Sequence, residues 1–264
     1  MMAPERPVLY HWEPNSNPGK AMLILAEKGI DYEGHYVDLL AMEQHRPEYL
    51  ALNPRGTIPT LVHGQNILTE STPMMEYIDA AFPGPRFTPG NAIECWRMRW
   101  WMRFFDSYLA PAISMGGWKR FIGPAALERD IGDIEAAIDR IPLEARRSAW
   151  HKALHDDFSE AELSESQRRY RYGLYLLEAH LCRFPWIAGN DYSLGDMNGF
   201  TLGYAFPSVQ PDYCNDCMTP RIMDWLRRIC ARPAVQKTWS LGRTHLASRL
   251  EAITVKPDAD KEGI

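Results

Sequence analysis

The spacing of hydrophobic positions changes near residue 91, and this change predicts that the chain has two parts. Before residue 91, short apolar runs typical of strands alternate with stretches in which apolar positions recur at helical spacing. The predicted elements are strand 7–10, helix 18–28, strand 32–37, a short helix near 43–50, strands 60–62 and 67–69, and a helix from 71 that stops at 83–85. Beyond residue 91 only helical spacing is found.

In the second part, apolar residues fall on one face of a helix that we expect to end near Pro111: Ile93, Trp96, Trp100, Phe104 and Tyr108. Further helices are predicted at 125–139, 142–155 and 164–183. Ser193 and Asp196 have the spacing of a capping box ahead of an apolar segment. A last helix is predicted to begin at Thr219-Pro220 and to end at Arg232-Pro233.

The order βαβ then ββα in the first part is typical of a thioredoxin-like domain, a small mixed sheet flanked by helices. We therefore predict an α/β thioredoxin-like N-terminal domain at 1–83 and an all-α C-terminal domain at 91–253. A linker rich in proline and glycine at 84–90 joins them. Residues 254–264 form a polar tail that we expect to be mobile.

Composition excludes several classes of protein. The 264 residues are 45% hydrophobic and carry a net charge of −5, which argues against nucleic acid as a partner. No apolar run approaches the roughly 20 residues of a membrane span, so no membrane association is expected. The N-terminal residues lack the apolar segment of a signal peptide, and a cytoplasmic location is expected.

The five cysteines all lie beyond residue 90. A thioredoxin-like redox protein needs a thiolate at the start of its first helix, and this chain has no cysteine there. Cys214 and Cys217 have a spacing found in metal sites, but no second pair accompanies them. We therefore expect neither cysteine chemistry nor a metal nor a redox cofactor.

The segment from 53 to 78 has the features of a site for a peptide thiol. Ile58 precedes Pro59 in a bond expected to be cis, which holds the backbone N–H and C=O of Ile58 away from the sheet for an extended peptide. Glu70 and Ser71 lie where a helix begins, so that free N–H groups suit a carboxylate and Glu70 suits an ammonium. An extended peptide with both groups on one carbon is the γ-glutamyl end of glutathione. An ordinary hairpin with a helix cap explains the same spacing equally well.

The motif Asn53-Pro54-x-Gly56-x-Ile58-Pro59, followed by Glu70-Ser71, resembles the glutathione site of the glutathione S-transferase superfamily. The resemblance extends to the helical second part with its capping box, although 111–165 is long for a generic member. It implies glutathione as co-substrate and a homo- or heterodimer.

Several further segments resemble the bacterial β-etherases, glutathione-dependent enzymes that cleave lignin-derived β-aryl ethers: Glu43-Gln44-His45, Asn53-Pro54-Arg55-Gly56, Thr69-Glu70-Ser71-Thr72 and Gly117-Trp118. This resemblance implies a small aromatic ether ketone as the substrate. It also implies that Gln44 and His45 contact the glycine end of glutathione.

In the superfamily, a hydroxyl or amide at the start of the first helix hydrogen-bonds the glutathione sulfur. In the β-etherases an Asn-Ser pair does so, which Asn15 and Ser16 supply here, whereas an ungapped count from Tyr10 puts Asn17 and Pro18 at that position. Asn17 is equally suited to be the helix N-cap. The acceptor site is expected between the domains with Trp118 as a wall, although Trp118 is as well explained by helix packing.

The resulting prediction is a glutathione-dependent β-etherase. A general glutathione transferase or isomerase, and a weakly catalytic dimer partner or ligand-binding member of the fold, remain as alternatives.

Overall fold

The computed structural model describes residues 6–129, 132, 134–244, 246 and 250–254. The predicted strands are present as a four-stranded sheet with the order β2-β1-β3-β4. Its strands are β1 (Val8–His11), β2 (Glu33–Tyr36), β3 (Thr60–His63) and β4 (Asn66–Leu68). β1 is parallel to β2, and β3 is antiparallel to both β1 and β4. The sheet has the mixed topology that the sequence pattern predicts, with Leu9 opposite Leu61 in its buried centre.

The helices of the N-terminal part follow the predicted order. They are α1 (Asn17–Glu27), a 3₁₀ turn (Glu43–His45), α2 (Pro47–Leu52) and α3 (Ser71–Ala81). α1 is buried along most of its length, and the side chains of residues 22–25 are at most 1% exposed. It contacts α3 and two helices of the C-terminal part, α10 and α13, whose bounds follow below. A helix that is apolar on all sides is expected in such a central position.

One long helix begins the C-terminal part and does not end near Pro111, so that prediction is wrong. α4 (Ala92–Phe104), α5 (Ala110–Gly117) and α6 (Gly123–Leu127) are continuous, joined by π-helical turns at Phe105–Leu109 and Trp118–Ile122. In each turn the backbone bond reaches one residue further back, from Ala110 to Phe105 and from Gly123 to Trp118. A proline lies one residue beyond each turn, Pro111 after Ala110 and Pro124 after Gly123. The π turns move the carbonyl that a proline ring would meet in a regular helix, so the helix continues.

The remaining helices are α7 (Ile134–Asp139), α8 (Glu144–His155), α9 (Glu160–Leu181), α10 (Leu194–Gly203), α11 (Phe206–Val209), α12 (Pro220–Cys230), α13 (Pro233–Trp239) and α14 (Glu251–Thr254). The single predicted helix 125–139 is wrong, since α6 ends at Leu127 and α7 begins at Ile134. Gly132, between them, has a φ of 68°, a conformation that interrupts a helix. The capping box of Ser193 and Asp196 is present, and α12 begins at Pro220 as predicted.

Two clusters of buried side chains hold the chain together. The larger one joins the sheet and α1 to the long helix and to α9, α10 and α12. The second joins α7 and α8 to loops of the N-terminal part, with Ile138 and Trp150 packed in the same cluster as Trp12, Leu40 and Met42. We call α7 and α8 the roof, because this second cluster seats them over one edge of the N-terminal part.

None of the described helices is long and apolar enough to cross a membrane. Residues 255–264, most of the polar tail, lie outside the described residues.

A buried carboxylate fastens the linker to α1 and α3. Both oxygens of Asp79 accept backbone N–H bonds, from Phe87 and Thr88 at 3.0 Å, and Oδ1 lies 3.6 Å from the Lys28 ammonium. The side chains of Asp79 and Lys28 are both 0% exposed. The carboxylate therefore satisfies two backbone donors and one buried cation at the start of the linker.

We expect Asp79→Ala to lower the free energy of unfolding by about 3–5 kcal/mol, because Lys28 would remain buried without its counter-charge. Urea unfolding at neutral pH measures the change. Asp31→Ala is the control, since Asp31 and its partner Arg6 are both exposed and such pairs contribute about 0–1 kcal/mol. Equal effects of the two substitutions would contradict this account of the linker.

Candidate functional site

A cavity of about 1000 Å³ lies between the N-terminal part and the C-terminal helices. Nine of the ten predicted site residues line it, namely Asn15, Ser16, Asn17, Gln44, His45, Ile58, Glu70, Ser71 and Trp118. The tenth, Pro59, lines a smaller adjoining cavity of about 100 Å³. The structure thus brings all these residues to one place, although they lie far apart in the sequence.

The Ile58-Pro59 bond is cis, as predicted. β3 begins directly after it at Thr60, so Ile58 lies at the end of the sheet rather than in its ladder. Among residues 6–129, 132, 134–244, 246 and 250–254, the backbone N–H and C=O of Ile58 have no hydrogen-bond partner. An extended peptide can pair with such a free N–H and C=O as a further strand would.

Glu70 and Ser71 form the next part of the site, at the N-terminus of α3. Glu70 has a φ of 65°, a conformation that is rare for a residue with a side chain and that persists where the surroundings require it. Ser71 is buried at the first position of the helix. The Glu70 carboxylate is half exposed and lies 3.3 Å from Arg55. This end of the cavity presents a helix N-terminus suited to a carboxylate and an acidic group suited to an ammonium.

Gln44 and His45, on the 3₁₀ turn, are both buried, yet Gln44 Oε1 and His45 Nδ1 have no hydrogen-bond partner in the described part of the chain. Buried polar atoms without partners are uncommon, and the two residues that carry them line the large cavity. Burial, together with the nearby positive charges of Arg140 and Arg146, lowers the pKa of His45 to about 4. The ring is therefore neutral at pH 7 and serves as a hydrogen-bonding group rather than as a cation.

Gly56 is required where it lies, beside His45. Its φ is 61°, and a Cβ at this position would lie 2.6 Å from His45 Nδ1. The glycine of the sequence motif thus makes room for the imidazole ring.

The loop between β1 and α1 carries the three candidates for contact with sulfur. The N-cap of α1 is Ser16, and Asn17 is the first helical residue, so the interpretation of Asn17 as the N-cap is wrong by one position. Proline is favoured in the first helical turn, and Pro18 fits this register. The Ser16 hydroxyl donates to the Glu13 carbonyl at 3.0 Å.

The side chains of the two asparagines in this loop differ in the hydrogen bonds that they make. The Asn15 amide donates to the Tyr204 hydroxyl at 3.0 Å and to the Leu246 carbonyl. The Asn17 side chain is exposed, lines both cavities and makes no hydrogen bond within the described residues. Asn17 is therefore the candidate whose donor is available without rearrangement.

Trp118 combines the two roles that the sequence left open. It lies on the second π turn, lines the cavity and packs its ring against Trp150, with ring centres 4.9 Å apart. Phe105 on the first π turn and Ile122 on the second also line the cavity. Both π turns therefore contribute residues to the cavity lining, Phe105 from the edge of the main core, and such turns are frequent at functional sites.

A buried polar network behind the site was not predicted. Lys20 of α1 donates to Asp106 at 2.6 Å, Thr72 also donates to Asp106, and Asn198 of α10 donates to Thr72 at 2.9 Å. Burial lowers the pKa of Lys20, whereas Asp106 opposes this shift. Isolated Lys, Asp and Thr residues are common on surfaces, so the sequence gives no signal that these meet.

The buried position of Glu13 was also not predicted, because an isolated glutamate gives no signal of its contacts in the fold. It is fully buried and accepts hydrogen bonds from the Tyr36 hydroxyl at 2.6 Å and from the backbone N–H groups of Arg243 and Thr244. The carboxylate ties the β1–α1 loop to a segment near the end of the described chain.

No cysteine is among the described residues that line either cavity. Cys214 is buried and Cys217 is exposed. Burial raises the pKa of Cys214 and of Cys230 to about 12, so both are unreactive thiols.

Comparison with known proteins gives a consistent result. The family described as "Glutathione S-transferase, N-terminal domain" matches residues 9–86. Protein LigF of Sphingobium sp. (strain NBRC 103272 / SYK-6) is 32% identical over 87% of this chain and 91% of its own. Glutathione S-transferase 3 of Zea mays is 29% identical over 90% of this chain and 94% of its own.

Solved structures agree with these relatives. The crystal structure of beta-etherase LigF from Sphingobium sp. strain SYK-6 matches with a TM-score of 0.83 and 31% identity, over 89% of this chain and 98% of that one. A structure of glutathione S-transferase III in apo form matches with a TM-score of 0.68 and 25% identity, over 90% and 98%. The likeness extends over both the sheet and the helical part.

The lowered pKa of His45 predicts a pH dependence of stability. Between pH 6.5, its ordinary pKa, and about 4, the unfolded chain binds a proton at His45 that the folded chain does not. The free energy of unfolding therefore falls with decreasing pH in this window, by at most about 1.4 kcal/mol per unit from this residue. We expect His45→Gln to make the dependence shallower.

Urea unfolding at about pH 7 and about pH 5 measures the difference. His180, whose pKa also lies at about 4, acts in the same direction, and Asp196, raised to about 6, acts in the opposite one. Both residues remain in the variant, so their contributions to the pH dependence cancel when the variant is compared with wild type. His35→Gln, at an exposed imidazole, is the control, and an unchanged slope in His45→Gln would show that His45 is not buried in neutral form.

Proposed function

Because the chain belongs to the glutathione S-transferase superfamily, we propose that it uses glutathione to cleave β-aryl ether bonds in lignin-derived aromatic ketones. One observation carries the proposal. A single cavity joins a site with the features of a glutathione pocket to a wall of large apolar side chains that includes Phe105, Ile122 and Trp118. A flat phenyl ring fits such a wall, and the similarity to beta-etherase LigF supports this class of substrate.

The reaction is a substitution at carbon. The glutathione thiol loses its proton, and the thiolate attacks the carbon that bears the aryloxy group, next to the ketone. A carbon–sulfur bond forms while the carbon–oxygen bond breaks, and the leaving phenolate takes up a proton. The products are a glutathione thioether and a free phenol, without oxidation, reduction or a metal.

The protein supplies orientation and thiolate stabilisation in this scheme. Gln44 and His45 hold the glycine end, the Ile58 backbone pairs with the cysteinyl residue, and Glu70 and Ser71 bind the γ-glutamyl end. The thiolate then lies at the N-terminus of α1, whose dipole favours negative charge. Asn17 donates its free amide to the sulfur, with Ser16 as the alternative after its hydroxyl turns away from Glu13.

We expect purified protein to release guaiacol from a racemic guaiacyl β-aryl ether ketone only when glutathione is present, and to stop near half conversion. Asn17→Ala should lower kcat/KM about 10- to 100-fold, the effect of removing one hydrogen bond to a charged group. Chiral chromatography follows guaiacol and the remaining enantiomer.

The matched controls are Asn190→Ala, at an exposed asparagine away from the cavity, and Ser240→Ala. Ser240 bonds a backbone carbonyl three residues earlier, as Ser16 does. If Ser16→Ala is impaired and Asn17→Ala is not, the serine is the donor. No guaiacol release by a protein that binds glutathione would exclude β-etherase activity for this chain.

A ligand-binding member with little chemistry is the second candidate, and the engaged hydroxyl of Ser16 favours it. Ultraviolet difference spectra separate the two. A thiolate band on addition of glutathione supports the enzyme, and binding without that band supports the ligand-binding protein.

We also propose that a second copy of this chain covers an aromatic face of α4 and α9. Ile93, Trp96 and Trp100 are 55%, 59% and 42% exposed, and Tyr175 on α9 is 69% exposed. The rings of Trp100, Phe104 and Tyr108 stack in sequence along the helix, 5.3 and 5.0 Å apart. The apolar face predicted from the sequence is thus largely exposed, while Met98, Trp101 and Met102 on the opposite side are buried.

Light scattering after size-exclusion chromatography is expected to show a dimer for wild type and a monomer for the double variant Trp96→Glu, Trp100→Glu. Charge placed within a buried interface prevents association. Met218→Glu, at an exposed methionine on another part of the surface, should remain dimeric. A wild-type monomer at micromolar concentration would exclude a homodimer on this face.

A further inference from the structure

The roof reaches over the glutathione end of the cavity. Ala145, Arg146 and Ala149 of α8 line the large cavity together with Gln44 and His45. Leu143 and Arg146 also close the small cavity, whose other walls include Ile58, Glu70 and Ser71. Ile58 packs against the second buried cluster, which also contains residues of the roof. The roof and Ile58 are therefore held in a fixed relation to each other.

Arg146 is distinguished from the other cationic side chains that line the two cavities. Lys20 is paired with Asp106, Arg55 with Glu70, and Lys152 with Glu162. His45 is neutral at pH 7, because its pKa lies at about 4. The guanidinium of Arg146 makes no hydrogen bond or ion pair with any residue that the structure describes, although it is exposed to the cavity.

The surroundings of Arg146 favour an anion. Burial lowers the pKa of Arg146, the negative charge of Glu70 raises it, and the positive charge of Arg55 lowers it. Arg146 in turn lowers the pKa of His45. Arg146 therefore lies within electrostatic range of both predicted ends of the tripeptide site. It is also in the first turn of α8, where the helix dipole favours negative charge.

The geometry points to Arg146 as a glutathione-binding residue that contacts a carboxylate of the tripeptide from the roof side. This inference rests on the proposed use of glutathione and adds to it a contact from the C-terminal part of the chain. Glutathione carries two carboxylates, and a guanidinium can bind either through two parallel N–H···O bonds. The tripeptide is then enclosed between the strand end at Ile58 and the roof, with Arg146 covering its open side.

Isothermal titration with glutathione alone tests this contact without any ether substrate. We expect Arg146→Ala to weaken binding about 10- to 100-fold, as loss of a charged hydrogen bond does. Arg146→Lys should recover part of the affinity, because it keeps the charge but not the paired geometry. Arg168→Ala is the control, since it removes one positive charge from an exposed site outside both cavities. Thermal unfolding verifies that each variant is folded.

Two analogues identify the carboxylate. Glutathione monoethyl ester blocks the glycyl carboxylate, and γ-aminobutyryl-cysteinyl-glycine lacks the α-carboxylate of the γ-glutamyl residue. If Arg146 binds one of these groups, the affinity lost on replacing glutathione by the corresponding analogue is smaller in Arg146→Ala than in wild type, because the other residues at that end of the site keep their contacts in both proteins. A smaller loss of affinity in Arg146→Ala than in wild type, with either analogue, supports the inference.

The inference is overturned if Arg146→Ala binds glutathione as wild type does, or if it loses the same factor for glutathione and for both analogues. These outcomes leave the proposed function intact, because guaiacol release is measured separately. Conversely, a protein that binds glutathione through Arg146 but releases no guaiacol keeps this inference and loses the β-etherase assignment. A wild-type protein that does not bind glutathione would exclude both.

Discussion

The ion pair between Lys20 and Asp106 determines how the two parts of this chain meet, and the site depends on that arrangement. Lys20 lies on α1, just after the loop that carries Asn15, Ser16 and Asn17, and its ammonium is almost fully buried. A buried cation requires a counter-charge, and Asp106 on the first π turn of the long helix supplies one at 2.6 Å. Thr72 shares the same carboxylate and directly follows Ser71. The first turns of α1 and α3 are therefore both hydrogen-bonded to the same carboxylate.

The N-terminal part could be predicted from the sequence because its signals are local. The cis bond at Pro59 and the helix start at Ser71 each follow from residue types at short spacing. The long helix was misjudged because Pro111 normally ends a helix, and no local rule shows that a π turn will accommodate it. The exposed aromatic face of α4 was found as a pattern, but periodicity does not tell which of two apolar faces is buried. Contacts between distant residues, such as those of Glu13 and Lys20, need the fold itself.

The roof takes up much of the stretch between 111 and 165. Without α7 and α8, Trp12, Leu40 and Met42 would be apolar side chains on the surface of two loops. With α7 and α8 present, those loops are packed on one side. One loop carries the 3₁₀ turn with Gln44 and His45, and the other leads from β1 into α1. The roof thus packs against the loops that form the site and at the same time covers part of the cavity.

The charged side chains of the cavity determine how a negative charge near the start of α1 can be stabilised. Each described cation of the cavity apart from Arg146 is paired or, in the case of His45, neutral, so no fixed cation is left next to the start of α1. Under the proposed function, a thiolate there depends on helix N–H groups and on a neutral donor such as the Asn17 amide. Such stabilisation suits a nucleophile, because a thiolate that is held too strongly reacts more slowly with carbon. Under the proposed function, full charges lie at the two ends of the tripeptide and only dipoles lie near its sulfur.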